Sequence, residues 1–365
     1  MNAKRYFLMN NLRFAPCVGV VNDSYEIIAV MSCEGRCFIT VGREQYYEDS
    51  TGICRIHTPV HKIRIPQKAL DREKEYTVHF APCTDKKRYF TVLGEEECET
   101  FSFRPIEKTE NINIYYIADI HSCYDEAEKC CSFFGDDLDL LIVNGDYGES
   151  DDRAAIEALN SFIARVTGGH IPVLVGRGNH DTRGSYSELV PEYIPTDNGK
   201  TYYRFSVGNI EGVVLDSGED KVDTHPEYGT VNYFSLYRAD EAKALSALGA
   251  LDLSRYRFAV CHIPFNFRME NDIFNIDEEI YTDWTKNLER IGIELMLCGH
   301  THEYALLPPG DENCRIPHEY PVVIGSDKKE KLGGTALTLK KDKFVFRFTD
   351  AEHKIKKEFN LQRIF

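Results

Sequence analysis

No apolar stretch in the chain approaches the roughly 18 uninterrupted residues that a membrane-spanning helix needs, which argues against an integral helical membrane protein. Lys4 and Arg5 precede Tyr6-Phe7-Leu8-Met9, but Asn10, Asn11 and Arg13 cut that run too short for a signal peptide. A soluble, cytoplasmic protein without a membrane partner is therefore expected. Positive charge is also scarce: 43 Lys and Arg stand against 59 Asp and Glu, a net charge of -16. Nucleic-acid binding draws its affinity from cations that neutralise phosphates, and the sequence holds no Lys/Arg cluster, so small substrates are expected rather than DNA or RNA. Regular cysteine spacing is missing too. The twelve cysteines are scattered, and neither Cys33 and Cys37 nor Cys130-Cys131 has a second pair at zinc-finger spacing. Reduced, buried thiols are expected instead of a disulfide framework or a structural zinc. There is no internal repeat and no low-complexity segment.

What the chain does have is length and a change of rhythm. Its 365 residues exceed the size at which single hydrophobic cores stop growing, so two domains are expected. Up to about Arg104 the text is short and β-rich: Val18 to Val21, Tyr25 to Val30, Cys37 to Val41, Tyr76 to Phe80 and Phe101 to Arg104. Evenly spaced short strands with little helical pattern indicate a β-sandwich over residues 1–105, and the proline-led, polar stretch Pro105 to Asn111 reads as the link to a second domain over 106–365. Beyond it, strands (Ile112 to Ala118, Leu138 to Val143, Ile171 to Val175) alternate with helices (Tyr124 to Phe134, Arg153 to Val166). That alternation marks an α/β (α+β) fold with a largely parallel sheet. Tyr202 to Val207 and Ile210 to Leu215 form a predicted hairpin around Gly208-Asn209. Strands at Tyr256 to Cys261 and Ile293 to Cys298 flank helical patterns at Ala239 to Leu248 and Tyr281 to Ile291, and β character returns after Pro321.

Five of these strands end in residues that bind metals: Asp119-Ile120-His121, Asn144-Gly145-Asp146, Gly178-Asn179-His180-Asp181, Cys261-His262 and Gly299-His300-Thr301-His302. Taken singly each is weak, since a Gly-Asp after a strand is usually a turn and a lone histidine is usually structural. Together, in order and each at a strand end, they supply hard and borderline ligands that can leave positions open for water and substrate. Two metals held close together would generate a nucleophile and neutralise charge on a phosphoryl group, with one carboxylate bridging them.

In this order the motifs resemble the calcineurin-like metallophosphoesterase superfamily, which includes protein serine/threonine phosphatases and purple acid phosphatases, over about Ile112 to Gly325. The resemblance implies a four-layer αββα sandwich, preceded here by a small fibronectin-III-like sandwich, a layout shared with purple acid phosphatases. It implies two divalent transition-metal ions (manganese, iron, zinc or cobalt). Asp119, His121 and His302 would hold the first, Asn179, His262 and His300 the second, and Asp146 would bridge both. His180 would stay free of metal and donate a proton or hydrogen bond to the leaving group. Purple acid phosphatases carry a metal-binding tyrosine three residues after the bridge; Glu149 stands there, with Tyr147 one residue after the bridge, so no purple chromophore is expected. Glu149 would either orient His180 or be a solvated carboxylate near the helix start marked by Asp151 and Asp152.

Of the two arginines around the Gly-Asn-His segment, Arg183 follows the ligands in the turn Asp181-Thr182-Arg183-Gly184 and is the candidate phosphate clamp, with a surface ion pair as its alternative. Arg177 is expected to pair with a local carboxylate. Leu215 to Lys221, with His225 and Tyr228-Gly229 beyond, should lie over the same sheet edge, where Glu219, Asp220 and His225 read as a polar loop. Phe265, Phe267 and Phe274, in the irregular stretch Pro264 to Asp283, are candidates for a substrate lid. The expected activity is metal-dependent hydrolysis of a small phosphomonoester. The alternatives are a phosphodiesterase for cyclic nucleotides or glycerophosphodiesters, a nuclease, and a non-catalytic binding protein on the same scaffold.

Overall fold

Alternation of apolar residues that face opposite ways along each strand requires a sheet covered on both sides, and two sheets of this kind form the body of the protein. A computed structural model of the chain describes residues 9–48, 51–229, 231–328 and 331–363. The short run Lys4 to Leu8 lies outside the described residues. The larger sheet has nine strands in the order β20 (Ile355–Gln362), β19 (Lys343–Asp350), β18 (Gly333–Leu339), β9 (Ile112–Ile117), β10 (Leu140–Asn144), β11 (Val173–Gly176), β1 (Cys17–Val21), β2 (Ser24–Val30) and β5 (Val60–Pro66). The second has six: β12 (Tyr203–Val207), β13 (Ile210–Leu215), β14 (Tyr256–Cys261), β15 (Leu295–Cys298), β17 (Val322–Ile324) and β16 (Ala305–Leu307). A third sheet joins β4 (Glu44–Tyr47), β3 (Gly35–Val41), β6 (Glu75–Lys86) and β7 (Thr91–Leu93), with β8 (Glu97–Ser102) also paired to β6.

The four layers follow from strand alternation. Ile114, Tyr116, Leu140 and Ile142 face Val214, Phe258, Val260 and Leu297 in the core between the two large sheets. Their sequence neighbours Tyr115, Ile117, Leu141 and Val143 pack outward under helices α2 (Tyr124–Cys131) and α3 (Arg153–Thr167). On the far side Val213, Leu215, Ala259 and Met296 lie under α5 (Phe234–Ala247) and α6 (Glu278–Ile291), with Trp284 fully buried. The Asp152 side chain accepts from Ala155 N at 2.8 Å, capping α3 where the acidic pair foretold a helix start. Two short helices, α1 (Gln67–Glu73) and α4 (Val190–Tyr193), have no counterpart in the sequence reading. No helix among the described residues is long and apolar enough to cross a membrane.

The amino-terminal region is all β apart from α1, yet its strands divide between two sheets. β1, β2 and β5 extend the nine-stranded sheet, with β1 parallel to β11 through Gly19 and Val173, while β3, β4 and β6 to β8 form the separate sheet that packs on them. Hydrogen bonding therefore crosses the expected boundary near residue 105. Strand periodicity reports which faces are buried, not which edge a strand will cover, and an uncovered β11 edge would be a liability.

Candidate metal centre

All five motif segments sit at the carboxyl ends of parallel strands, β9, β10 and β11 in one sheet and β14 and β15 in the other, so the two sheets deliver their ligands to one crevice. The segments turn sharply there. Asp119, His121, Asp146, His300 and His302 all have positive φ, between 43° and 72°, a backbone region unfavourable for residues with a side chain and common where function dictates geometry. The loops after β10 and β11 also approach closely. A Cβ on Gly145 would lie 2.5 Å from Gly178 N and 2.6 Å from His262 Nδ1, and one on Gly178 would lie 2.3 Å from Asp146 Oδ1, so both glycines are required.

Two groups of ligand atoms result, one from Asp119, His121, Asp146 and His302 and the other from Asp146, His262 and His300. Asp146 belongs to both. His121 Nε2 and His302 Nε2 face each other at 3.1 Å, and His302 Nε2 lies 3.3 Å from Asp119 Oδ1. His262 Nε2 is 3.2 Å from Asp146 Oδ2 and 3.8 Å from Asp119 Oδ1. Asn179 Oδ1 stands 3.0 Å from His300 Nδ1, joining the second group. The chain thus brings together all seven of the residues expected to hold metal.

Hydrogen bonds around the ligands fix their orientation. His262 Nδ1 donates to Asn144 O at 2.7 Å, which turns Nε2 toward the carboxylates. That Nε2 is buried and makes no aligned hydrogen bond among the described residues, as suits an atom aimed at a point between the carboxylates. Burial opposes protonation of His262, but Asp146 and Asp119 outweigh it and raise its pKa to about 10. Burial lowers His121 and His300 to about 4, His300 with help from the charge on His262. Burial alone would raise Asp146, yet the charge of His262 prevails and holds it below the usual carboxylate range. A proton on His262 thus occupies the place of a cation, and a bound divalent ion would displace it. The donor set, the aligned lone pairs and the orphaned Nε2 all fit metal ions.

Several supporting residues were given no role in the sequence reading. Asp181, the last residue of its motif segment, is fully buried, and its carboxylate accepts from Gly178 N, Asp146 N and Tyr147 N at 2.7, 2.8 and 3.0 Å. It clamps the two glycine loops together. Asn144 Nδ2 donates to Tyr116 Oη and to Cys261 O, tying the sheets beneath the ligands, and the Ser326 hydroxyl donates to Asp119 Oδ2. The local signal was slight: Asn144 and Asp181 stand inside motif segments but take partners from other strands, and Ser326 follows β17, outside every segment.

The remaining candidates fall near the centre in differing roles. His180 is half-buried at the mouth, its ring 4.8 Å from that of His121, and its backbone N–H donates to Asp146 Oδ1 at 2.9 Å. Its Nδ1 lies 3.7 Å from Glu149 Oε1, longer than a hydrogen bond. Arg177 pairs with the buried Asp216 at 2.7 Å, as expected of it. Arg183 donates to Glu219 from Nε and Nη2, at 3.0 and 2.8 Å to the nearer oxygens, and reaches Asp220 at 3.4 Å. Glu219 and Asp220 are buried, so this loop is an ion-pair network beside the ligands and not a solvated one. Phe265 is core, stacked on Tyr281 at 4.9 Å, whereas Phe267 and Phe274 remain half-buried by a small pocket that Glu219 and Asp220 also line. A further grouping of Glu34, His57 and Cys83 is part-exposed, and Glu34 is already paired with Lys86 at 2.8 Å.

Comparison with known proteins agrees with this architecture. The family model for calcineurin-like phosphoesterases matches residues 112–304, which span all five motif segments. A probable cyclic nucleotide phosphodiesterase of Fibrobacter succinogenes is 30% identical over 88 residues, 24% of this chain and 33% of that relative's length. Among solved structures, a purple acid phosphatase from yellow lupin seeds (Lupinus luteus) superposes with a TM-score of 0.63 at 12% identity, covering 98% of this chain and 76% of the other. PhoD gives 0.54 at 10% identity, covering 98% and 91%. At such identities these likenesses concern the fold.

Proposed function

Because the chain belongs to the calcineurin-like phosphoesterase family, we propose that it is a phosphoesterase working through a dinuclear metal centre on small phosphate esters. The observation that carries this reading is the sharing of Asp146 between two ligand groups. Bound divalent ions would supply Lewis acidity and a low-pKa water at neutral pH. The residues of the chain do the rest. Asp119, His121 and His302 would hold one ion, Asn179, His262 and His300 the other, and Asp146 would serve both. The Asn179 amide also serves to hold a non-bridging phosphoryl oxygen. His180, free at the mouth, donates its proton to the departing alcohol oxygen. Glu149 influences His180 electrostatically, and an unaltered pH–rate profile in Glu149→Gln would remove it from the mechanism.

A phosphomonoester is the first reading of the substrate. A diester is the second, and a specific observation favours it: the Arg183 guanidinium, which a dianionic monoester would recruit, is engaged by Glu219 and Asp220. The curated relative's name points the same way. Arg183 as a phosphate clamp therefore requires substrate to compete with Glu219. The acidic balance supports small substrates over nucleic acid, and twelve free thiols support a reducing, cytoplasmic setting. Metal-stripped protein restored with manganese or zinc should hydrolyse aryl phosphates, and the ratio of monoester to diester rates decides between the readings. Inactivity of wild type on every ester under every metal would leave a non-catalytic binding protein instead.

A further inference from the structure

Away from the crevice, three further metal-type donors meet between the third sheet and the edge of the nine-stranded one. Glu34 precedes β3, Cys83 lies in β6, and His57 belongs to the loop that leads into the edge strand β5. The strand ladder holds two of them together: Cys83 N donates to Glu34 O at 2.8 Å, one step beyond the pair Gly35 and Pro82. Just after Cys83 the pairing of β6 with β7 slips register, a bulge of the kind that re-aims a side chain. His57 Nδ1 lies 3.3 Å from Glu34 Oε2. One thiol, one imidazole and one carboxylate thus bring their ligand atoms within 4.8 Å of one another, and all three residues keep access to solvent.

A cation already stands among them. Lys86 Nζ is 2.8 Å from the same Glu34 Oε2, and this hydrogen bond raises the Lys86 pKa with help from the charges on Glu34 and Cys83. Lys86 is exposed, and an exposed ion pair contributes little, so a divalent ion can take its place. We propose that Glu34, His57 and Cys83 form a binding site for a single zinc-type ion, which pins the loop before β5 to β6. The ligand class follows from the donors. Thiolate and imidazole select borderline ions such as zinc and cobalt over magnesium or calcium, and three donors leave a fourth tetrahedral position for water. Donors roughly 2.0–2.3 Å from such an ion stand about 3.5 Å apart, so a small rotation of exposed side chains closes the set. Cysteine spacing gave no hint of this site, because only one donor is a cysteine and the others are distant in sequence.

Cobalt titration of the full-length protein tests this. A thiolate bound to cobalt(II) gives a charge-transfer band in the near ultraviolet, and the candidate ligands of the crevice include no sulfur. The band therefore reports on this site whether or not the crevice holds metal. It should appear in wild type, and zinc should bleach it. Cys83→Ser should abolish it, and His57→Ala should weaken cobalt binding by at least the roughly 10–100-fold that altering even a supporting group brings. Lys86→Met, which removes the competing ammonium, should tighten it. A thermal melt confirms that each variant is folded, and His57→Ala, at an exposed loop position, decides alone if Cys83→Ser does not fold. The proposal is overturned if wild type shows no such band, if the band persists in Cys83→Ser, if His57→Ala binds cobalt as wild type does, or if Lys86→Met binds it more weakly.

Discussion

The two sheets contribute unequally to the crevice between them. The nine-stranded sheet supplies oxygen: Asp119, Asp146 and Asn179, with His121 as its one ligand imidazole. The six-stranded sheet supplies only imidazoles, His262, His300 and His302. The difference extends to how each set is held. Asp181 locks the β10 and β11 loops of the first sheet to each other. The histidines of the second sheet are oriented by partners on the first: His262 by Asn144 O, His300 by Asn179 Oδ1 and, through its backbone N–H, by Asp119. Most of the orienting contacts thus start from the first sheet, the Ser326 hydroxyl on Asp119 being the one that runs the other way among those described above. Changes on the first should therefore propagate across the crevice, while changes on the second should stay local.

The severest way to break that asymmetry is Asp146→Asn. It removes the ligand common to both groups, so both ions should be lost and hydrolysis should fall to background; retention of two ions by elemental analysis would refute the sharing. His302→Asn should be milder, emptying one position and leaving the other filled, since His302 belongs to only one of the two ligand groups. Loss of both ions in this variant would make the two sheets equals. His180→Gln should leave metal content intact and lower kcat by about 10²–10⁴-fold, the usual contribution of a positioned proton donor. A fall in metal content there would make His180 a ligand instead. Asp181→Asn should weaken metal affinity by about 10–100-fold, as expected when a group behind the ligands is altered. Because Asp181 acts on both loops, the loss should appear at both positions; a change confined to one would confine the clamp to one sheet.

The convergence of the candidate ligands was legible because each is a chemically distinctive residue ending an apolar strand, and strand ends converge by topology alone. Their supports were not. Asp181 looks like any polar turn residue until the β10 loop lies within reach of it, and Asn144 takes its partners from Tyr116 and Cys261, distant in sequence. Arg183 was read as a phosphate clamp or an ion pair, and its engagement by Glu219 depends on a loop 36 residues away. The αββα layers were implied by family likeness and are visible in the alternation of Ile114 and Tyr116 against Tyr115 and Ile117. The sharing of strands between the amino-terminal region and the large sheet was hidden, because Val18 to Val21 would read the same in either sheet. β5 was missed because His61, Lys62 and Arg64 interrupt its apolar pattern. His61 is nevertheless fully buried, and Lys62 reaches across to donate to Ile194 O at 2.7 Å.

The segment held in common with the family and the segment able to fold are different lengths of chain. Cut at residues 112 and 304, the shared portion would keep β9, β10 and β11 but lose β18 from one side and β1 from the other. The edges of β9 and β11, and that of β15 where β17 is also lost, would face solvent, an invitation to association between copies. Such a fragment should aggregate where the full chain does not, as light scattering would show. The matched residues carry the candidate centre; the strands on either side of them complete the sheet on which that centre is built.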